Sequence, residues 1–417
     1  MGFVVGVFSM TGNGTGRAFY EFFAGGGMAR LGLGLGWDCL FANDIDHAKA
    51  AAYRAAFGVA DELHVGDVGC VTTAELPGQA DLAWASFPCQ DLSLAGHYQG
   101  LEGRRSGTFW GFWGLMQGLH REGRAPRMIV LENVKGAITS KQGADLALLC
   151  ESLAELGYEF APLVIDAQLF VPQSRPRLFV VAFGPSALPA SDVVGNGPCE
   201  KWHPSSLRLA FDRLTSQARA AWRWLTPPVP TLHRAKLSSL VEDEPHGVAW
   251  HSPAQTARLL QLMSPLHQQK VAQAQLQSGR RVGTIYKRTR PLLDGTQRGQ
   301  RAEVRFDEVA GCLRTPAGGS SRQIILVVDG KRVRSRLLSP REAARLMGLP
   351  EEYPLPERYN DAYHLVGDGV AVPVVSFLAR TVIEPSLAST HRTESGSNQS
   401  RWAECALAFG VKSRGAA

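Results

Sequence analysis

The chain has 417 residues, of which 45% are hydrophobic and 20% are charged, so we expect a soluble globular protein long enough for two domains. Its seven cysteines are scattered without a CxxC pair, which argues against a disulfide framework or a zinc site and favours a reducing cytoplasm. The apolar N-terminal run lacks the positive charge of a signal peptide, and we expect no stretch that is long and apolar enough to span a membrane.

The net charge of +6 is spread unevenly along the chain. Residues 255–337 contain 16 Lys and Arg against 5 Asp and Glu. A basic block on a near-neutral body is typical of a protein that binds a polyanion. The charge excess alone is equally compatible with a solvated surface.

The first half of the chain alternates segments that resemble strands with segments that resemble helices. Strands are predicted at 18–23, 39–42, 81–85, 128–131, 160–165 and 178–183, and helices at 28–35, 45–57, 109–120 and 144–156. Apolar strands that alternate with helices predict a mainly parallel sheet covered on both faces.

After Gly184 this alternation stops. Residues 185–335 are rich in Pro, Gln, Ser and Arg and predict a separate, small, irregular domain. Ser339 and Glu342 form a capping-box pattern that predicts the start of a helix. The apolar segment 370–383 is expected to return to the first domain, and we expect the polar tail from Glu384 to be loosely ordered.

A glycine-rich run, Phe23-Ala24-Gly25-Gly26-Gly27, follows the first predicted strand. Glycines there permit a sharp turn and a close approach to a ligand. Asp44 ends the second strand and can accept hydrogen bonds from ribose hydroxyls. These features indicate a nucleoside-bearing cofactor, although a tight turn with a solvated Asp is the alternative. Asp67 would suit the exocyclic amine of an adenine, although a turn residue is the commoner role.

Two reactive side chains follow predicted strands. Cys89 lies in Ser86-Phe87-Pro88-Cys89-Gln90 after one strand, and Glu132 follows another. The carboxyl ends of parallel strands form the ligand-binding edge of such a sheet. A thiolate and a carboxyl group that converge there suit addition to an electron-poor ring. For Cys89 alone, a small core residue is the alternative.

Arg175 and Arg177 lie two residues apart before a strand. In an extended segment both side chains face one side, where they could bind an anion or a carbonyl oxygen. Contact with solvent is the alternative for both.

Taken together and in this order, these runs resemble the DNA cytosine-5 methyltransferase family. The resemblance covers 18–184 and 311–382. It extends to Ser93, Ala95 and Gly96, to Arg336, Leu338, Arg341, Glu342, Ala344, Arg345 and Gly348, and to Gly367, Val372 and Pro373. The chain departs from the family pattern at Met28, where Gly is usual, at Asp44, where Glu is usual, and at Asp368, where Asn is usual. An extra residue also precedes Val372-Pro373.

The resemblance implies a class I methyltransferase fold, which is a Rossmann-like mixed α/β sheet flanked by helices, with a smaller irregular target-recognition domain. The expected divisions are an N-terminal extension (1–17), a catalytic and cofactor-binding domain (18–184), the target-recognition domain (185–335), a return segment (336–383) and a tail (384–417). The resemblance also implies S-adenosylmethionine as methyl donor, S-adenosylhomocysteine as product, no metal, and double-stranded DNA as partner. We further expect a monomer in a prokaryotic or phage-infected cytoplasm, associated with the nucleoid. Whether a cognate restriction endonuclease is its partner stays open from the residues.

Within the resemblance, Cys89 is the nucleophile and Glu132 the acid. Arg177 contacts the cytosine carbonyl, Arg175 shapes the site, and the loop 91–107 is the lid. The implied cofactor-binding residues are Phe23, Ala24, Gly25, Gly27, Asp44, Ile45, Asp67, Val68, Pro88, Phe109 and Asp368.

Three alternatives remain open from the residues. An RNA (tRNA) cytosine-5 methyltransferase would share the architecture, although the basic block favours DNA. A nicotinamide or flavin oxidoreductase would share the glycine turn, but it leaves Cys89, Glu132 and the arginine pair unexplained. A catalytically silent DNA-binding relative is disfavoured because Cys89 and Glu132 are intact.

Overall fold

A computed structural model describes residues 16–88, 107–231, 235–291, 298–314 and 322–388. The first part of the chain forms a seven-stranded sheet with the order β3-β2-β1-β4-β5-β7-β6. Its strands are β1 (Arg17–Phe22), β2 (Trp37–Asp44), β3 (Leu63–Val65), β4 (Leu82–Ala85), β5 (Met128–Val134), β6 (Glu159–Asp166) and β7 (Pro176–Phe183). The helices between them are α1 (Met28–Leu33), α2 (His47–Phe57), α3 (Thr108–Arg121) and α4 (Ala144–Glu155). Short 3₁₀ turns lie at Val68–Cys70, Thr73–Glu75, Lys135–Ile138, Ser140–Gly143 and Ala167–Leu169.

The sheet is mainly parallel, as the alternation predicts. β7 alone among the seven described strands runs antiparallel to its neighbours, β5 and β6. Alternate side chains of each strand enter two different cores, since successive residues of a strand point to opposite faces. Phe19 and Trp84 face one core with α1, whereas Tyr20 and Ala83 face the other with α3 and α4. Burial of both faces explains why these strands read as continuous apolar runs. The three-residue strand β3 is too short to give a periodic signal and was missed.

The segment 185–335 is more regular than its composition predicts. It contains β8 (Val194–Gly195), α5 (Ser205–Phe211), α6 (Ser216–Ala221), β9 (Trp224–Leu225), α7 (Leu237–Leu240), α8 (Pro253–Gln261), α9 (Pro265–Leu276), β10 (Arg281–Pro291), β11 (Arg298–Arg305), β12 (Ile324–Asp329) and the start of β13 (Arg332–Leu337). Strands β10 to β13 form an antiparallel sheet with the order β11-β10-β12-β13. The expectation of an irregular segment was therefore wrong for this part. The sequence signal for the β12–β13 hairpin is Asp329-Gly330, which lies between two apolar or alternating runs. The many arginines in this segment obscured that pattern.

The two cores continue into this segment. Trp202 and Leu225 pack in the core beside α1, while Leu207 and Trp222 pack in the core beside α4. The domain boundaries drawn from the sequence stay predictions.

The last described segment returns to the first sheet. It comprises α10 (Pro340–Leu346), α11 (Tyr359–Asp368), α12 (Val372–Leu378), a π-helical turn (Ala379–Ile383) and α13 (Glu384–Ala388). The capping box is present, because the Ser339 hydroxyl accepts from the Glu342 N–H and the Glu342 carboxylate accepts from the Ser339 N–H. α12 packs closely on α1, where a Cβ on Gly32 would lie 2.8 Å from the carbonyl oxygen of Val372.

Two expectations about this end of the chain need correction. Glu384–Ala388 is helical with Leu387 buried, so the tail does not become loosely ordered at Glu384, and its remainder lies outside the described residues. The helical stretch Tyr359–Ala388 is also long and apolar enough, by length and composition alone, to cross a membrane. Its apolar side chains, such as Val375 and Val382, are fully buried against the first sheet, which is the usual place for such a stretch in a folded core.

Candidate active site

A cavity of about 990 Å³ opens at the carboxyl edge of the first sheet, where β1, β2, β4 and β5 end. Most of the side chains that the sequence singles out line it. They are Phe23, Ala24, Gly25, Asp44, Ile45, Asp67, Val68, Pro88, Glu132, Arg175, Arg177 and Asp368. They converge because the strands that precede most of them end at one edge of the sheet. Their convergence is observed, while the role of each stays a prediction.

Four of the predicted site features are not found in the cavity lining: Cys89, the lid loop, Gly27 and Phe109. Cys89 and nearly all of the lid loop lie outside the described residues, although Pro88, the residue before Cys89, lines the cavity. Gly27 begins α1 with a φ of 74°, and a Cβ there would lie 2.3 Å from the ring of Phe57, so it is a packing position. Phe109 is fully buried between the rings of Phe87 and Trp113. The helix turns the preceding residue, Thr108, toward the cavity instead.

The glycine-rich turn is held by Asp44, the acidic residue that ends β2. Asp44 accepts hydrogen bonds from the backbone N–H groups of Gly25 at 2.7 Å and of Asp46 at 2.8 Å. Phe23 has a φ of 58°, which is uncommon for a residue with a side chain. Strained backbone of this kind concentrates at ligand sites. Each carboxylate oxygen of Asp44 can accept a second hydrogen bond, which leaves acceptor capacity for a ribose.

Glu21 on β1 is a site residue that the sequence analysis missed. Its side chain is 1% exposed and lines the cavity, and its Oε2 has no hydrogen-bond partner among the described residues. Burial raises the pKa of Glu21 to about 8, even though the nearby Arg30 opposes the shift. An unsatisfied buried oxygen at a cavity wall fits a ligand that carries a hydrogen-bond donor or a positive charge. The residues present therefore fit a cofactor with a nucleoside and an amino group.

Two departures from the family pattern have partners in space. Asp368 pairs with Lys49 of α2 at 2.8 Å, so its extra negative charge is offset within the cavity wall. Met28 packs against Gly369, where an added Cβ would lie 2.3 Å from the Met28 sulfur. The missing side chain at Gly369 makes room for the larger residue in the helix.

Glu132 occupies the other end of the cavity. Its side chain is 6% exposed, and Oε1 lies 3.3 Å from Nε of Arg177. Burial raises its pKa above the usual range, although Arg177, Arg175 and a hydrogen bond from Ser86 oppose the shift. The next residue, Asn133, donates to the carbonyl oxygen of Phe87 at 3.0 Å. The Glu132 strand end is thereby tied to the segment that leads to Cys89.

The two arginines differ in their contacts. Arg175 is 2% exposed and donates to the carbonyl oxygens of Gly367 and Gly369, both at 2.8 Å, and of Leu313 at 3.2 Å. It therefore joins three segments of the cavity wall. Arg177 directs its Nη atoms toward the sulfur of Cys312, at 3.8 Å, and its Nε toward Glu132. Of the two arginines, Arg177 is the one whose guanidinium lies beside the Glu132 carboxylate.

Cys312 places a thiol in the cavity wall, and no sequence pattern predicts it. Its sulfur lies 3.5 Å from Nη1 of Arg175. Burial alone would raise the pKa of the thiol, but Arg175 and Arg177 outweigh that effect and lower it. Among the described residues, no cluster of three or more His, Cys, Asp and Glu side chains could hold a metal ion.

The mixed seven-stranded sheet, with a nucleoside-sized cavity at its carboxyl edge, defines a Rossmann-like enzyme that binds a nucleoside cofactor. The family model for C-5 cytosine-specific DNA methylases matches residues 18–384. The chain therefore belongs to the C-5 cytosine-specific DNA methylase family and is a DNA (cytosine-5-)-methyltransferase, as its motifs predict.

Individual relatives agree with this assignment. The chain is 26% identical over 386 residues to the type II methyltransferase M.HpaII of Haemophilus parainfluenzae, covering 88% of this chain and 89% of that protein. It is also 26% identical over 371 residues to the type II methyltransferase M.HhaI of Haemophilus parahaemolyticus, covering 88% of this chain and 94% of that protein.

Solved structures agree on the fold. The methyltransferase EhMeth of Entamoeba histolytica superposes with a TM-score of 0.55 at 13% identity, covering 89% of this chain and 98% of that one. A DNMT2 mutant of Spodoptera frugiperda superposes with a TM-score of 0.54 at 16% identity, covering 87% of this chain and 98% of that one.

Proposed function

We propose that the cavity binds S-adenosylmethionine and that the enzyme methylates C5 of a cytosine flipped out of duplex DNA, through a transient bond from Cys89 to C6. The observation that carries this proposal is the buried Glu132 with its raised pKa, 3.3 Å from Arg177, in the same cavity wall as Pro88. Because burial raises its pKa, this carboxyl group takes up a proton more readily than a solvated one and can then donate it to a ring nitrogen.

At the cofactor end, Asp44 accepts from ribose hydroxyls and Asp67 from the exocyclic amine of the adenine. Glu21, with its unsatisfied oxygen, and the Lys49–Asp368 pair hold the amino-acid end. When bound, the cofactor supplies an electrophilic methyl group on a positively charged sulfur.

At the substrate end, the Cys89 thiolate bonds to C6 and pushes electron density onto C5 and N3. Glu132 donates its proton to N3, and Arg177 donates a hydrogen bond to the carbonyl oxygen of the cytosine. After C5 is methylated, a base removes the C5 proton, the electron pair expels the Cys89 thiolate, and N3 returns its proton to Glu132. The target must leave the base stack because C6 is out of reach inside a duplex.

The proposal is tested in an expressing host. Bisulfite sequencing should find 5-methylcytosine in host DNA with the wild-type protein and with the control Cys199→Ala, whose thiol lies outside the cavity lining. Cys89→Ala should abolish the modification. Methylation by Cys89→Ala would refute the nucleophile assignment, and methylation found only on tRNA would refute the DNA substrate.

A second measurement tests the covalent step. A random-sequence duplex that contains 5-fluoro-2′-deoxycytidine cannot lose a proton from C5, so the Cys89 adduct should persist. Mass spectrometry should then place the cross-link within residues 86–90. Strong binding without any cross-link would refute the adduct.

A further inference from the structure

Strands β10 and β11 extend beyond the rest of the antiparallel sheet. Strand β12 pairs with residues 281–285 of β10. Within the described residues, the remaining part of β10 (286–291) pairs with residues 298–303 of β11 and not with β12. These two segments form a protruding two-stranded element, called the ribbon below.

One face of the ribbon is continuous with the face of the sheet that packs on the catalytic domain. Val282 belongs to the core beside α1, and alternate residues of a strand share a face, so Tyr286, Arg288 and Arg290 follow it on the same side. The opposite face carries Ile285, which packs in a separate core with α8 and α9.

This face is anchored at the mouth of the catalytic cavity. The hydroxyl of Tyr286 donates to the carbonyl oxygen of Cys312 at 2.5 Å, and Cys312 lines the cavity. Arg288 and Arg290 therefore extend from the cavity along the ribbon. At about 3.3 Å per residue, they lie roughly 7 and 13 Å from Tyr286.

Arg288 and Arg290 share one carboxylate. Glu303, across the ribbon, accepts from Nε of Arg290 at 2.6 Å and lies 3.4 Å from Nε of Arg288. Both arginine side chains are nearly half exposed, at 44% and 47%. Contacts through Nε direct the outer edge of each guanidinium, with its two amino groups, away from Glu303. The carboxylate thus orients two planar donor groups before any partner binds.

Arg281, the first residue of β10, and Arg280, the residue before it, lie far from the ribbon. Arg280 pairs with Asp243 at 3.0 Å, and Arg281 donates to Gln277 at 2.6 Å. They lie about 23 Å from Arg288 along the strand. Arg281 projects from the face opposite to that of Arg288, since odd and even residues of a strand alternate.

We infer that the ribbon enters the major groove beside the flipped cytosine, where Arg288 and Arg290 read guanines and Glu303 positions them. This inference rests on the proposed DNA methylation. A two-stranded β-ribbon fits the major groove, and a guanidinium edge matches O6 and N7 of guanine. The backbones of the two arginines are about 7 Å apart along the strand and base pairs are stacked at about 3.4 Å, so we expect the two guanines to lie within about two base pairs of each other.

The test compares the bases that flank methylated cytosines in DNA from hosts that express each variant. Arg288→Ala and Arg290→Ala should each relax the preference for one guanine by about 10- to 100-fold. Arg288→Lys keeps the positive charge but lacks the planar guanidinium, so it should weaken the preference for the same guanine as Arg288→Ala. Glu303→Gln should weaken both preferences without lowering thermal stability. The control Arg281→Ala should keep the wild-type preference.

The outcomes separate the inference from the proposed function. Unchanged flanking preference in Arg288→Ala and Arg290→Ala would overturn the inference while DNA methylation stands. The alanine variants could instead lose methylation equally at all sequences and bind DNA with a weaker salt dependence, while Arg288→Lys restores activity. That result would assign these arginines to phosphate contacts and also overturn the inference. Absence of 5-methylcytosine with both the wild-type protein and Arg281→Ala would instead refute the proposed function.

Discussion

The ion pair between Arg336 and Glu342 is the most completely buried one described, with side chains 0% and 1% exposed. Arg336 donates two hydrogen bonds to the carboxylate, at 2.7 and 2.6 Å, and a third to the carbonyl oxygen of Glu242 at 2.6 Å. The pair joins β13 of the antiparallel sheet to α10 of the return segment. It should therefore couple the two parts of the molecule.

Replacing Arg336 with Met removes one charge and leaves Glu342 buried without its counter-ion. Breaking a buried pair in this way costs about 3–5 kcal/mol, mostly because the remaining charge is uncompensated. The Glu342 carboxylate keeps its bonds from the N–H groups of Ser339 at 2.8 Å and Glu242 at 2.7 Å, which favours the lower part of this range. We expect Arg336→Met to lower the free energy of unfolding by about 3 kcal/mol.

Urea unfolding of the full-length protein, followed by circular dichroism, measures this change. Arg334→Ala is the matched control, since Arg334 lies on the same strand and stacks over Trp250 at 4.1 Å. A partly exposed stacking contact of this kind contributes about 0.5–1 kcal/mol. A loss below about 1 kcal/mol in Arg336→Met, or an equal loss in the two variants, would refute the reasoning.

Three further predictions follow from the cavity. Folding raises the pKa of Glu21 from 4.5 to about 8, so the free energy of unfolding should fall as pH rises between those values, by up to about 1.4 kcal/mol per pH unit. Glu21→Gln should flatten this slope in urea titrations at several pH values, and an unchanged slope would contradict the shift. Glu132→Gln should slow methyl transfer by about 10²- to 10⁴-fold while calorimetry finds the affinity for S-adenosylhomocysteine nearly unchanged, and more than a tenth of wild-type activity would exclude Glu132 as the acid. Gly369→Ala should lower the melting temperature and reduce the free energy of unfolding by about 1–3 kcal/mol, because the added Cβ meets the Met28 sulfur. Adding Met28→Ala should recover part of that loss, and strictly additive losses would contradict the contact.

Much of the cavity lining could be predicted from the sequence, because residues at the carboxyl ends of several strands share one edge of the sheet. Asp44 ends β2, Pro88 follows β4 and Glu132 lies near the end of β5, and the strand ends of a parallel sheet meet at one edge. The rule needs only the position of each strand, which apolar runs reveal. It does not give side-chain direction within a helix, which is why Phe109 was chosen although its neighbour Thr108 lines the cavity.

Other parts of the cavity were beyond sequence reasoning. Lys49 and Cys312 reach the wall from α2 and from a loop of the second domain, and no local pattern marks either residue. Glu21 was passed over because an acidic residue inside a strand reads as solvated unless its burial is known. The antiparallel sheet was missed for a different reason, since arginines on its exposed ribbon hid the alternation that the hairpin at Asp329-Gly330 signals.

Arg175 binds the carbonyl oxygens of Gly367 and Gly369, so an early part of the chain is completed by a very late one. During synthesis, more than two hundred residues must be added after Glu132 before the carbonyl groups that bind Arg175 exist. A partial translation product that stops before residue 367 lacks these acceptors and should bind no cofactor. We therefore expect cofactor binding to begin only after nearly the whole chain has been made.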